Sequence, residues 1–193
     1  QVDGKDFKKL ASVGKPQCGV DIKIDPKTNE ILMRGPFVMD GYYKNEKITN
    51  STLINGWLHT GDKGYLDDEN YLYITGRVAD SFKTSKGEFI EPLTLENYFG
   101  TIKELQEVCI TGLGLPQPIA VSQISEIGKA IPKAQLLELL EKKLKEINLD
   151  LENYKKISTI VLVKGQWTEQ NKILGPTLKL KRGNIEKMYS AKY

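Results

Sequence analysis

The chain lacks most of the features that fix a function class at once. It holds two cysteines and one histidine in 193 residues. Cys18 and Cys109 are far apart and show no metal-ligand spacing, so two reduced thiols are expected rather than a disulfide framework. No apolar run approaches the ~18 residues that a membrane helix needs. A formal net charge of +3 is too small to imply nucleic acid or an anionic membrane as partner. No Gly/Ser/Thr-rich phosphate loop followed by Lys is present, and no acidic residue is placed to hold magnesium. The one Gly-x-Gly, Gly112-Leu113-Gly114, has no third glycine, and Pro116 and Pro118 interrupt the helix that a dinucleotide fingerprint requires. Gln1-Val2-Asp3-Gly4-Lys5 has no signal-peptide character and no starting Met, so a fragment of a cytoplasmic protein is expected. Hydrophobic content of 39% and charged content of 27% are ordinary globular values, and the length allows one or two domains with a real core.

What is present is concentrated between Gly56 and Pro92. Tyr71-Leu72-Tyr73-Ile74-Thr75 is aromatic and β-branched and reads as a strand, entered through the turn-forming Asp67-Asp68-Glu69-Asn70. Ser85-Lys86-Gly87, set between Phe82 and Phe89-Ile90, reads as a hairpin tip. An acid on a loop, Asp62, and a base at a strand end, Arg77, flank one hairpin from which a basic, glycine-tipped arm extends. A carboxylate accepts from paired hydroxyls and a guanidinium fork donates to hydroxyl or phosphate oxygens, a combination suited to gripping a ribose.

Around this stretch, residues 14–35 read as a hairpin. Val20, Ile22 and Ile24 alternate with polar residues, and Ile31 and Met33 follow a turn at Asp25-Pro26-Lys27-Thr28-Asn29. Gly41 to Asn55 reads as a loop with a helical turn, and its Asn50-Ser51-Thr52 sequon as part of that loop; Trp57 to Leu66 then reads as a strand. After Arg77 the pattern becomes mixed. Pro92 suits a first helical position, with Leu93, Leu95, Tyr98 and Phe99 as its apolar face. Val108-Cys109-Ile110 and Ile119-Ala120-Val121 read as paired strands. Pro132 to Ile147 is the clearest helix, with Leu136, Leu140, Leu144 and Ile147 in one stripe; a core face is expected over a partner-binding one. Thr159-Ile160-Val161-Leu162-Val163 reads as a buried strand, and Gly183 to Tyr193 as a short basic helix.

Four ordered blocks carry a resemblance: Glu30 to Pro36 with Gly41-Tyr42-Tyr43-Lys44, Trp57 to Asp62, Gly76 to Pro92, and Pro176-Thr177-Leu178-Lys179-Leu180-Lys181-Arg182. Together they are similar to the AMP-forming acyl-CoA synthetases, or adenylate-forming ligases. The resemblance implies an α+β fold. Residues 1–76 would be the β-rich C-terminal part of the large N-terminal domain. Residues 77–193 would be a small C-terminal lid domain, a small antiparallel sheet with flanking helices. Such enzymes join a carboxylate to ATP, giving acyl-adenylate and pyrophosphate, and then let the thiol of coenzyme A displace AMP.

The roles that follow are those the resemblance implies. Thr60, Asp62 and Arg77 would bind ATP or AMP, Asp62 through the ribose hydroxyls. Lys179 would be the catalytic lysine of adenylation, stabilising charge that moves toward the α-phosphate and leaving pyrophosphate. Lys83, Gly87 and Glu88 would meet the pantetheine of coenzyme A. A hinge at Ala79 and Asp80 would let the lid present Lys179 in one step and the arm in the other. Two departures stand out: relatives usually carry Asp or Lys at the position of Ala79, and Gly175 stands where long-chain members have Thr. Magnesium is expected for the full-length enzyme but not ligated by this chain. The Thr177-Leu178-Lys179-Leu180-Lys181-Arg182 ending resembles long-chain fatty-acid–CoA ligases, which implies a fatty acid as acid partner and leaves room for peripheral membrane association of the full-length enzyme. The fragment alone, lacking the large domain, is expected to be inactive.

The competing readings are specific. Asp62 could be only the turn former of Thr60-Gly61-Asp62, and Lys179, Lys181 and Arg182 a solvated charge run. The arm of Lys83, Gly87 and Glu88 could be a solvated hairpin, and His59 is expected to be a packed or turn-bonded histidine rather than a base. At the level of the whole chain the alternatives are a non-catalytic lid-fold module with a basic C-terminal patch, or the adenylation domain of an aryl-CoA ligase or peptide synthetase.

Overall fold

The alternation in residues 14–35 becomes an antiparallel pair, β1 (Asp21–Ile24) against β2 (Glu30–Arg34), with Ile22 opposite Met33. The intervening turn is closed by Asp25, whose Oδ1 accepts from the backbone N–H groups of Lys27 and Thr28, and by Asn29 in the left-handed region at φ 57°. The computed structural model describes residues 9 and 11–192. The Gln1 to Lys5 stretch and Tyr193, the last residue of the expected basic helix, lie outside the described residues. The chain divides into two compact units, Gln1–Ala79 and Asp80–Tyr193.

In the first unit β2 is a central strand. Ile31 and Leu32 are buried on it, and β4 (Trp57–Leu66) pairs along its other side. The long β4 also pairs with β3 (Leu53–Ile54) at its start and with β5 (Leu72–Arg77) along its second half, completing a five-stranded antiparallel sheet. Segment 41–55 differs from expectation. It holds a two-turn helix, α1 (Glu46–Thr52), and then β3, rather than a loop with a single turn. Asn45 caps α1 by accepting from Ile48 N–H at 3.2 Å, which ends the loop where a polar side chain satisfies an orphan donor.

The second unit begins with a two-stranded arm, β6 (Phe82–Lys83) and β7 (Phe89–Ile90). Helix α2 (Pro92–Glu96), with Pro at its first turn, leads into a 3-10 turn over Asn97–Thr101. Then come β8 (Leu105–Thr111), β9 (Ile119–Ile124), α3 (Glu126–Lys129), α4 (Lys133–Leu149), β10 (Ile160–Val163) and α5 (Arg182–Tyr189). The sheet runs β10-β9-β8. The pair β8 and β9 is antiparallel, as expected, whereas β10 lies parallel to β9, because the chain returns to the same end of the sheet through α3 and α4.

Strand alternation divides the core in two. Ile110 and Ala120 face one cluster with Leu95, Phe99, Leu136 and Leu140; Cys109 and Val121 face the other with Trp167, Ile173 and Ile185. The α4 stripe is therefore core, each buried leucine contributing about 2 kcal/mol. Two expectations fail here. Leu93 and Tyr98 are exposed while Leu95 and Phe99 are buried, since α2 lasts only five residues and tightens, leaving one i,i+4 pair facing inward. Segment 159–163 is an edge strand with only Val163 buried, because among the described residues no strand pairs along the far side of β10.

Candidate functional site

Asp62 is not on a loop. It lies inside β4, directly opposite Arg77 of β5, beside a register shift between Lys63 and Gly64. Gly61, at φ 73°, sets the local kink, a conformation that L side chains rarely adopt. Side chains then fix the kink from the neighbouring strand. Glu30 accepts from Gly61 N–H at 2.8 Å through one carboxylate oxygen and meets His59 Nδ1 at 2.9 Å through the other. Thr60 Oγ donates to the Ile31 carbonyl at 2.8 Å and accepts from Asp62 N–H at 3.1 Å. Thr60 thus has its hydroxyl proton committed within the sheet, and it shapes the backbone that carries Asp62.

From this frame Asp62 points to solvent, where its Oδ1 accepts from Arg77 Nε at 2.7 Å; the side chains are 33% and 61% exposed. An exposed pair of this kind contributes about 1 kcal/mol or less to stability, so ligand hydroxyls can compete for it. His59, expected as a packed or turn-bonded histidine, is half-buried and partnered by Glu30 of the neighbouring strand. Glu30, which holds both His59 and Gly61, was not singled out from the sequence as a site residue. Val78–Asp80 forms one 3-10 turn with Ala79 and Asp80 exposed, and the two units divide between those two residues.

In the second unit, Lys83, Gly87 and Glu88 are exposed on the arm. Its tip is closed by Gly87 N–H to the Thr84 carbonyl at 3.0 Å and Thr84 N–H to the Glu88 carbonyl at 2.9 Å, with Gly87 at φ 87°. The Gly112–Pro116 loop, which fails as a dinucleotide fingerprint, braces this arm: Gly114 N–H donates to the Lys83 carbonyl at 3.1 Å, and Ser85 N–H to the Leu115 carbonyl at 2.9 Å. The Lys83 ammonium sits 5.1 Å from the Phe89 ring centroid.

Lys179 is exposed on a tight hairpin. Leu174 bridges Leu180, Gly175 N–H donates to the Lys179 carbonyl at 2.9 Å, and Lys181 N–H donates to the Ile173 carbonyl at 2.7 Å. Leu178 takes φ 58° at the turn, an uncommon place for a branched residue. Gly175 is not required by this backbone, since a Cβ there would meet its nearest neighbour, the Lys181 side chain, at 3.4 Å.

The charge run is only half solvated. Lys179 and Lys181 are exposed, but Arg182 turns inward and pairs with Glu96 at 2.7 Å, with side chains 17% and 16% exposed. It also donates to the Ile110 carbonyl and to Cys109 Sγ. Burial pushes the Cys109 thiol up to about 12. Among the described residues no group of three or more His, Cys, Asp or Glu is placed to hold a metal ion, and no helix is long and apolar enough to cross a membrane.

No family model matches the chain. It is similar to a 2-succinylbenzoate–CoA ligase of Oceanobacillus iheyensis, 40% identical over 112 residues, which cover 55% of this chain and 23% of that protein. It is also similar to a long-chain-fatty-acid–CoA ligase of Mycobacterium tuberculosis, 26% identical over 200 residues, covering 95% of this chain and 33% of that one. Among solved structures, the O-succinylbenzoate coenzyme A synthetase of Bacillus subtilis, in complex with ATP and magnesium ion, matches with a TM-score of 0.70 at 29% identity, over 91% of this chain and 36% of that one. The chain spans between 23% and 33% of the length of these two curated relatives.

Proposed function

Because this chain belongs to the AMP-forming acyl-CoA synthetases, the adenylate-forming ligases, we propose that it supplies the ribose grip and the adenylation lysine of an ATP-dependent acid–thiol ligase. Its α+β fold is that of the C-terminal portion of such an enzyme. The observation that carries the reading is the Asp62–Arg77 pair. An acid and a fork meet at 2.7 Å on a kinked strand end, side by side and open to solvent. The acid accepts from the two ribose hydroxyls of ATP or AMP, and the fork orients it.

Lys179 acts in the first step. As the carboxylate attacks, negative charge builds on the α-phosphate and on the departing pyrophosphate, and a fixed ammonium stabilises it. Lys83, Gly87 and Glu88 act in the second, where a glycine-tipped arm lets backbone approach the thin pantetheine of coenzyme A. Ala79 and Asp80 are the hinge about which the second unit presents Lys179 in one step and the arm in the other. Magnesium accompanies ATP in the full-length enzyme and is not assigned to residues of this chain. By itself the chain holds no phosphate loop and is inactive.

For the acid, we favour a long-chain fatty acid. The similarity to the mycobacterial ligase runs over 95% of the chain, and Thr177 to Arg182 carries the long-chain pattern. An aryl acid such as 2-succinylbenzoate is the second reading, favoured by the 40% identity over half of the chain.

The test uses the full-length enzyme and separates the half-reactions. Lys179→Ala should abolish acyl-adenylate formation, a loss of about 3 kcal/mol or more, while sparing thioester formation from supplied acyl-adenylate. Lys83→Ala, or a bulky residue at Gly87, should do the reverse. Equal losses in both steps for Lys179→Ala would remove its role. Offering palmitate and 2-succinylbenzoate to the same enzyme decides the acid.

A further inference from the structure

We infer that Arg182, together with Glu96, is a positioning residue for Lys179. The inference rests on the adenylation role proposed for that lysine. Lys179 sits on an exposed hairpin closed by its own bonds, Leu174 to Leu180, Gly175 to Lys179, and Lys181 to Ile173, while Leu174 N–H also donates to the Thr168 carbonyl at 3.1 Å. Its base is seated by apolar contact, with Ile173 fully buried in the second core cluster and Leu174 and Leu180 packed against it, which fixes depth but imposes no directional bond. Arg182, three residues beyond Lys179, adds the charged, directional tie. One guanidinium nitrogen, Nη1, donates to Glu96 Oε1 at 2.7 Å, to Cys109 Sγ at 3.2 Å and to the Ile110 carbonyl. The same Glu96 oxygen accepts from Ile110 N–H at 2.8 Å, so the carboxylate is held by β8 before the arginine arrives. A second tie comes from Asn184, whose Nδ2 donates to the Lys172 carbonyl at 2.6 Å at the other side of the hairpin base.

The chemistry of the anchor fits positioning better than stability. Burying a charged pair is close to neutral for folding when set against well-packed apolar residues, because desolvation offsets the attraction. Here the desolvation is incomplete in its recompense: Arg182 Nε is buried with no hydrogen-bond partner among the described residues. What the pair does supply is direction. A guanidinium bound to one carboxylate and one strand carbonyl admits a single geometry, which an apolar residue in the same space would not impose.

The arm is fastened differently. Its β strands bury Phe82 and Ile90 in the core, and its tip is bonded to the Gly112–Pro116 loop. None of those contacts uses Arg182. The two presenting segments therefore have separate anchors, and loss of the arginine should fall on one half-reaction.

The experiment is done in the full-length enzyme, with adenylation followed as pyrophosphate release and the second step as thioester formation from supplied acyl-adenylate. Arg182→Ala should lower kcat for adenylation ten- to a hundredfold, with KM for ATP nearly unchanged and the second step reduced less than threefold. Arg182→Lys, which keeps a donor within reach of Glu96, should recover at least half of the lost rate on a logarithmic scale. Combining Arg182→Ala with Lys179→Ala should add nothing to the loss caused by Lys179→Ala, since the arginine acts through the lysine. The inference is overturned if Arg182→Ala slows both steps alike, or if its effect multiplies that of Lys179→Ala. If Lys179→Ala leaves adenylation intact, the reading of the lysine itself fails. Should Arg182→Ala not fold, Glu96→Gln, which retains an acceptor for Ile110 N–H, carries the same expectation at a smaller, three- to tenfold loss.

Discussion

Two arginine–carboxylate pairs in this chain have the same length and opposite surroundings. Arg77 meets Asp62 at 2.7 Å with side chains 61% and 33% exposed; Arg182 meets Glu96 at 2.7 Å with side chains 17% and 16% exposed. Distance therefore says nothing about what each pair is for. In water the attraction is weak and screened, so the first pair can exchange one partner for ligand hydroxyls at little cost. Out of water, a lost partner leaves a charge without compensation, so the second pair is committed and can only hold structure in place.

The comparison is broken most easily at the buried end. Glu96→Ala should destabilise the second unit by about 3 kcal/mol, read as a shifted urea midpoint, because Arg182 is left buried without its counter-charge. Asp62→Ala should change stability by about 1 kcal/mol or less in the same assay. Similar losses for both would mean that exposure is not what separates them.

A third pair sharpens the contrast in its pH dependence. Lys9 bonds Asp67, with side chains 18% and 21% exposed, and that contact holds the Asp67 carboxyl down at about 2 from its usual 3.8. A carboxyl whose pKa is lowered by folding stabilises the native state above its unfolded value and loses that contribution as pH falls through the folded one. The stability gap between the wild-type chain and Asp67→Asn should thus be constant near pH 6 and close between about pH 4 and pH 2. A gap that persists at pH 2 would contradict the assignment.

The exposed half of this comparison was legible in the sequence, and the buried half was not. Asp62 and Arg77 stand in two motif blocks, and their residue types alone propose a grip on hydroxyls. The strand Tyr71 to Thr75 and the arm tip at Ser85 to Gly87 follow from local chemistry, namely β-branched runs and turn-forming side chains. Helix α4 was equally plain from its leucine stripe. What failed depended on distant partners. Glu30 reaches Gly61 across 31 residues and Glu96 reaches Arg182 across 86, and no spacing rule marks either glutamate. The strand Trp57 to Leu66 was legible, but Asp62 within it read as a loop acid because Thr60-Gly61-Asp62 is a turn signal; inside a strand the same signal makes a kink. Arg182 stood in the Pro176 to Arg182 block with no role of its own, and the competing reading made it part of a solvated run with Lys179 and Lys181; neither marks it as buried. The expected buried strand at 159–163 failed because apolar content does not say which strand ends a sheet.

The most direct measurement is a titration of AMP into the full-length protein, comparing wild type with Asp62→Ala and Glu96→Gln, with the unfolding midpoint recorded for each. The account predicts about a tenfold loss of AMP affinity, ~1.4 kcal/mol, for Asp62→Ala with its midpoint unchanged. For Glu96→Gln it predicts unchanged affinity with a lowered midpoint. AMP binding that survives Asp62→Ala at full strength, or falls only as far as stability falls, would contradict the claim that the exposed pair is the nucleotide grip.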